Sequence, residues 1–181
     1  GTTINPLSSL AYYKDKAVVN TIIASFSPSY KITDDLEYKF LYSVNRQVGI
    51  RKGMADRRLN LDNVLDHGTA FIGNNEQTNQ QITNTLNYNK EVSSGFNVNA
   101  LVGHEWLIFN NRNNFMAGKD FDNIGLNYYD YIQQGLTANR IIGSYSSPTT
   151  ELQSFFARAI LNFQDKYLIT GTFRADGSTR F

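Results

Sequence analysis

The sequence predicts an all-β chain: an antiparallel up-and-down sheet of about six strands, built as a segment of a larger transmembrane β-barrel with long extracellular loops. Three observations predict it. Apolar and polar residues alternate along most of the chain, the composition favours strands over helices, and short and long connections follow one another in turn.

The composition bounds the function first. Of 181 residues, 41% are apolar, 13% aromatic and only 18% charged, with 11 Tyr, 12 Phe and abundant Asn. Such residues suit strands and polar loops better than helices. A net charge of +1 without a basic run gives no electrostatic footprint for nucleic acid. The absence of Cys removes disulfides, zinc-thiolate sites and thiol catalysis. No apolar run reaches the roughly 18 residues that a membrane-crossing helix needs, and Gly1-Thr2-Thr3 opens neither a basic nor an apolar leader.

In chain order, the first strand is expected over 18–32, with Val18, Ile22, Ala24, Phe26, Tyr30 and Ile32 on one face and Pro28 marking a bulge or break. Thr33-Asp34-Asp35 reads as a tight turn. Alternation resumes over 36–47, Leu36, Tyr38, Phe40, Tyr42 and Val44 facing one way and Glu37, Lys39, Ser43 and Asn45 the other. Periodicity is lost over 48–76, which reads as a charged loop with a short helical turn near 56–65. A polar strand is expected over 77–89, its better face being Ile82, Leu86 and Tyr88, then a turn at 90–95. The next strand, 96–108, sets Phe96, Val98, Ala100, Val102 and Trp106 against Asn97, Asn99 and Glu105. A second long loop follows over 110–151, with a short helix at 127–135.

The last stretch, FFARAILNFQDKYLITGTFRADGSTRF from Phe155 to Phe181, is the clearest hairpin. Phe155, Ala157, Ala159, Leu161 and Phe163 alternate with Arg158 and Asn162. After Gln164-Asp165-Lys166, Tyr167, Ile169, Phe173 and Ala175 alternate with Thr170, Thr172, Arg174 and Asp176. Asp176-Gly177 reads as the turn that ends this strand.

The short turns at 33–35, 90–95 and 164–166 are thus expected on one rim and the loops on the other. The chosen apolar faces contain no Asp, Glu, Lys or Arg, as a lipid-facing surface requires, since a charge near the bilayer midplane costs roughly 2 to 4 kcal/mol for Arg or Lys. Tyr30, Tyr38, Tyr88, Phe96, Phe163 and Tyr167 cluster near the short turns, where an interfacial girdle would stand. A soluble β-sandwich has equally uncharged inner faces, so the alternative is a soluble or surface-attached β-rich domain that binds carbohydrate.

The Phe155–Phe181 hairpin also resembles a motif of the SusC/RagA family of TonB-dependent outer-membrane transporters, in the form FARxxxNFxDKYLITGTFRADGSTRF. Asn5-Pro6-Leu7 and the Asp35-Leu36 strand start are similar to a point further back in that family's barrel. The resemblance implies that all of 1–181 is barrel wall, with the plug domain and TonB box lying outside it. It further implies active import of glycans or oligopeptides across the outer membrane of a Bacteroidetes-type bacterium. A SusD-like surface lipoprotein would close over the loops, and energy would come through the TonB complex acting on the plug. A passive porin would share the barrel and lack that coupling. Neither catalysis nor a cofactor is implied.

Few residues carry site chemistry. His67 and His104 are isolated from any nucleophile or metal-ligand pattern, and His104 is expected in an interfacial belt near the end of its strand. Asp120-Phe121-Asp122-Asn123 offers oxygens to calcium but reads better as a solvated loop; no metal site is expected. Tyr128, Tyr129 and Tyr131 are the candidate ligand-binding residues, rings on an external loop that stack on a sugar or peptide or else pack the loop against its scaffold. Glu105, Arg158, Arg174 and Asp176 are the charged residues expected to face the lumen, with the two arginines paired to carboxylates there.

Overall fold

A computed structural model describes residues 6–59, 67–123 and 125–180. Strands dominate it: β1 (Tyr13–Phe26), β2 (Ser29–Lys31), β3 (Leu36–Ala55), β4 (Thr69–Ser93), β5 (Phe96–Lys119), β6 (Ile141–Ser146), β7 (Thr150–Phe163) and β8 (Tyr167–Ser178). They form one sheet in the order β1-β3-β4-β5-β7-β8, with β2 paired to β3 and β6 to β5. The pairs β2–β3, β5–β6, β5–β7 and β7–β8 are antiparallel.

The alternation is recovered in the register. Phe96, Val98, Ala100, Val102 and His104 stand opposite Phe163, Leu161, Ala159, Ala157 and Phe155, and these in turn oppose Tyr167, Ile169, Gly171, Phe173 and Ala175. Directly opposed residues share a face, so three strands contribute one continuous uncharged row. The intervening row holds Glu105, Arg158, Arg174 and Asp176. Leu168 is its exposed apolar exception.

The turns follow local chemistry. Gln164 and Asp165 both take positive φ, 54° and 52°, within the three-residue connection 164–166, where the Lys166 N–H donates to the Phe163 carbonyl at 3.0 Å and Asn162 Nδ2 donates to Asp165 Oδ1 at 2.7 Å. Gly95, at φ 75°, completes the β4–β5 turn. Pro28 sits in the gap between β1 and β2, the break that its missing donor predicts.

Several expectations are corrected. β3, β4 and β5 run to 20, 25 and 24 residues, so Arg51 and Lys52 are strand residues, and the connection expected over 48–76 is confined between Ala55 and Thr69. Much of the helical turn expected at 56–65 lies outside the described residues. β6 occupies part of what reads as a second loop, and the one strand expected over 18–32 is split into β1 and β2, so six strands become eight. Asp176 and Gly177 are paired with Ser154 and Gln153 and so belong to β8; no turn forms there. His104 falls well inside β5. The chain before β1 opens with a helix, α1 (Pro6–Tyr12), its proline at the first helical position where a missing N–H is harmless.

The described chain divides into two compact units. One comprises 1–21, 47–77 and 111–147; the other comprises 22–46, 78–110 and 148–181. The second holds all three short turns, at 33–35, 94–95 and 164–166, and the first holds both long connections. The first also holds a buried cluster of Met54, Ala70, Phe121 and Tyr128, with Leu126, Tyr129 and Ile132 packed against it.

Candidate functional site

Two places gather the residues that the sequence singles out. The first is the polar row of β5, β7 and β8. Register sets Glu105, Ser154 and Asp176 side by side, with Gly103, Phe156 and Arg174 as the neighbouring row. Arg174 Nε donates to Asp176 Oδ1 at 2.9 Å, and Arg174 Nη2 reaches Ser154 Oγ at 3.0 Å and Glu105 Oε1 at 3.5 Å. Its guanidinium also lies over the Phe156 ring, 5.9 Å from the centroid. Gln81 Nε2 donates to the other Glu105 oxygen at 2.8 Å, extending the network to β4.

Phe156 has room because Gly103 lies opposite. A Cβ on Gly103 would collide with the ring, so the glycine is a seat for an aromatic side chain. Ser154 is fully buried beneath the arginine, at 0% exposure. Of the four predicted lumenal charges, the structure brings Glu105, Arg174 and Asp176 together. Arg158 stands exposed on the same row, opposite Leu101 and Thr172. Sequence reading missed Ser154, Phe156 and Gln81. The strand period gives each one's face, and only the cross-strand register gives their neighbours.

The second place is the segment after β5. Tyr128–Asp130, Ile132–Gln134 and Thr137–Asn139 form three short 3-10 turns where the sequence suggests one helix. Tyr128 is the centre of this segment and is 1% exposed. Its ring stacks on Phe121, with centroids 4.4 Å apart and planes 5° from parallel, and its hydroxyl donates to the Asn123 carbonyl at 2.7 Å. Burial pushes the Tyr128 hydroxyl pKa up from its ordinary value. A ring so enclosed packs the loop and offers no face to a ligand. Tyr129 is partly covered, with Lys52 Nζ 5.8 Å from its centroid. Tyr131, 41% exposed, is the most open of the three.

Asp56 anchors this unit. Buried, it accepts from Arg58 Nε and Nη2 at 2.9 Å each and from the Arg58 backbone N–H at 3.0 Å. Arg58 in turn covers the Tyr12 ring at 4.4 Å. The arginine hydrogen bonds, against the cost of burial, hold the Asp56 carboxyl below the usual carboxylate range. His67 Nδ1 lies 3.5 Å from Asp120 Oδ1, and Asn139 Nδ2 bonds the other oxygen of that carboxylate. Among the described residues, no three His, Asp or Glu side chains come close enough to hold a metal ion.

No family model matches the chain. It is 28% identical over 180 residues to the TonB-dependent receptor P3 of Formosa agariphila, covering 98% of this chain and 17% of that protein. It is 27% identical over 158 residues to the TonB-dependent receptor P39 of the same organism, covering 84% of this chain and 14% of the relative. The chain therefore spans less than a fifth of the length of these curated relatives. Among solved structures, it superposes on the RagAB peptide transporter with a TM-score of 0.84 and 18% identity, over 94% of this chain and 19% of that one. The RagAB peptide importer in its "open-open" state gives 0.80 at 19% identity, over 94% of this chain and 18% of that one.

Proposed function

We propose, for a chain that is SusC/RagA-like in sequence and fold, that it forms a stretch of outer-membrane barrel wall in a TonB-dependent importer. The observation that carries this is the row Phe155, Phe163, Tyr167, Ile169 and Phe173, each between 44% and 65% exposed. Exposed apolar side chains in a continuous, charge-free row on strands otherwise tied by full ladders need an apolar solvent. Hydrocarbon supplies it, and the closed ladder of a complete barrel would supply partners for the ends of the sheet. Strands of 20 to 25 residues exceed the roughly 9 to 11 that cross a bilayer at a tilt, so part of each projects beyond it. Near the short turns, Phe96 and Phe163 meet edge to face at 6.3 Å, and Tyr30 pairs with Tyr38, consistent with an interfacial girdle.

On this reading the polar row faces a wet lumen, where the Glu105–Arg174–Asp176 network is a wall element. The complete protein would import glycans or oligopeptides, take a SusD-like lipoprotein as its lid and receive energy through TonB; no enzyme chemistry is involved. Fractionation of cells expressing the full-length protein tests it: a heat-modifiable band in the outer membrane, co-purifying with a SusD-like lipoprotein, is the expected result. A detergent-free, monodisperse monomer of residues 1–181 in light scattering would instead favour a soluble carbohydrate-binding domain.

A further inference from the structure

Along β1 the alternate residues Val18, Ile22, Ala24 and Phe26 form an uncharged row, with Asn20 as its polar exception, and Val18, Ile22 and Phe26 are between 45% and 65% exposed. From Val18 to the strand's end at Phe26 the row is close to the roughly 9 to 11 residues that cross a bilayer at a tilt. At the end remote from the Thr33-Asp34-Asp35 turn it stops abruptly, because the next two residues of the same face are Lys16 and Lys14. On β3, the neighbour of β1 in the sheet, Ile50 and Lys52 stand beside them. The other face is marked by Val19 beside Gly49 and by Asp15, which accepts from Arg51 at 3.0 and 2.6 Å. Those two opposite charges satisfy each other there and leave the lysines without that partner. Lys16, Val18, Ile50 and Lys52 line a cavity of about 420 Å³, whose remaining wall is Tyr129 and Asp130 of the segment after β5.

The lining changes character with height along the strands. Val18 and Ile50 are exposed apolar side chains, and one step further along each strand's face comes a lysine. Lys52 Nζ lies 3.4 Å from Asp130 Oδ1 and 5.8 Å from the Tyr129 ring centroid, while Lys14 Nζ donates to Asn127 Oδ1 at 2.7 Å. Among the described residues lining the cavity, one carboxylate stands against two lysines, which leaves an excess of positive charge. The Lys52–Asp130 pair is 40% and 44% exposed, weak enough to admit a second anion. A soluble anion would need no apolar floor, and an acyl chain would need no lysines. The two in sequence, with a tyrosine at their boundary, match a lipid at the membrane surface, hydrocarbon below and phosphate above. Strands that complete the wall would join β1 at its open edge and leave the cavity, which lies between β1 and β3, facing outward. We propose that the cavity is a headgroup site for an anionic membrane phospholipid, its phosphate between Lys16 and Lys52 and an acyl chain descending over Val18 and Ile50 along the uncharged row. This rests on the barrel-wall reading.

Native mass spectrometry of the detergent-solubilised full-length protein, titrated with dioleoylphosphatidylglycerol and with dioleoylphosphatidylcholine, tests it. Phosphatidylglycerol is held the more tightly. Lys16→Gln and Lys52→Gln each weaken its binding about fivefold, the scale of one lysine at a charged membrane surface, and leave phosphatidylcholine binding unchanged; Lys16→Arg and Lys52→Arg retain the preference. Lys39→Gln, which removes the same charge from the polar face of β3, alters neither lipid. The heat-modifiable outer-membrane band persists in every variant and by itself reports on the barrel-wall reading; its absence in the unaltered protein removes that reading and the site with it. With the band present, the site alone is overturned if the two lipids bind alike, or if Lys39→Gln weakens phosphatidylglycerol as much as the cavity variants do. It is equally overturned if inorganic phosphate displaces the lipid, which would make this a pocket for a free anion.

Discussion

The β7–β8 hairpin and the segment following β5 bury their apolar side chains in opposite ways. In the hairpin, Phe155, Ile169 and Phe173 lie open on one face, and the fully buried residue among its neighbours is Ser154, beneath an arginine. In the other segment, Phe121 and Tyr128 stack on each other over Met54 and Ala70 and lose nearly all contact with solvent. The first arrangement supplies strand ladders and waits for an apolar medium; the second supplies its own core. One chain can combine them because backbone pairing satisfies the peptide groups in both, leaving the side chains to answer separately to what surrounds them.

This contrast breaks most visibly at Tyr128. Tyr128→Ala should cost the loop about 3 to 5 kcal/mol, the usual penalty for deleting a buried aromatic side chain. Limited proteolysis should then cut within 120–140 while the heat-modifiable band persists. Loss of that band would mean that the loop core also supports the sheet.

Next in size is a charge on the uncharged row. Ala159→Arg, opposite Ala100 and Gly171, should lower stability by roughly 2 to 4 kcal/mol in urea-driven unfolding from lipid vesicles. Thr172→Arg, on the adjacent polar row, should cost under about 1 kcal/mol. Equal effects at the two sites would remove the sidedness on which the membrane reading stands.

The third tests the self-sufficient core through Asp56. Because its folded pKa lies below the unfolded value, the stabilisation it gives is complete above the usual carboxylate range, near pH 4, and is lost as pH falls through the folded pKa. Arg58→Ala should weaken that acid-side dependence, because the side-chain hydrogen bond that most lowers the pKa is lost, and should cost about 1 to 3 kcal/mol, since the carboxylate stays buried with fewer donors. Proteolytic susceptibility of 120–140 between pH 5 and pH 2.5 measures it. The smallest effect belongs to Arg174→Ala. Its carboxylate partner Asp176 is exposed, and such pairs are worth roughly 0 to 1 kcal/mol; a larger loss in the same urea titration would show that burying Ser154 depends on the arginine.

How much was legible varies in step with this contrast. Where one face is uniformly apolar, as over 155–175, the two-residue period marks strand, face and hairpin turn, and register agrees with all three. Where both faces have neighbours of their own, the period fades. Gly49, Arg51 and Gly53 alternate with Ile50, Lys52 and Met54, and no single residue type marks either side. The strands there read as loop, although their ladders continue. Tyr128 failed as a candidate ligand contact for a related reason. Its amphipathic ring suits a core or a binding surface equally, and only the position of Phe121 decides between them.

By itself the sequence determined the period, the uncharged face and the turn residues, because these depend on side chains two to four positions apart. Tertiary structure alone decided that Arg174 meets Glu105 and that Phe156 lies on Gly103. Those contacts join residues brought together by cross-strand register, a geometric quantity that no local run of amino acids encodes.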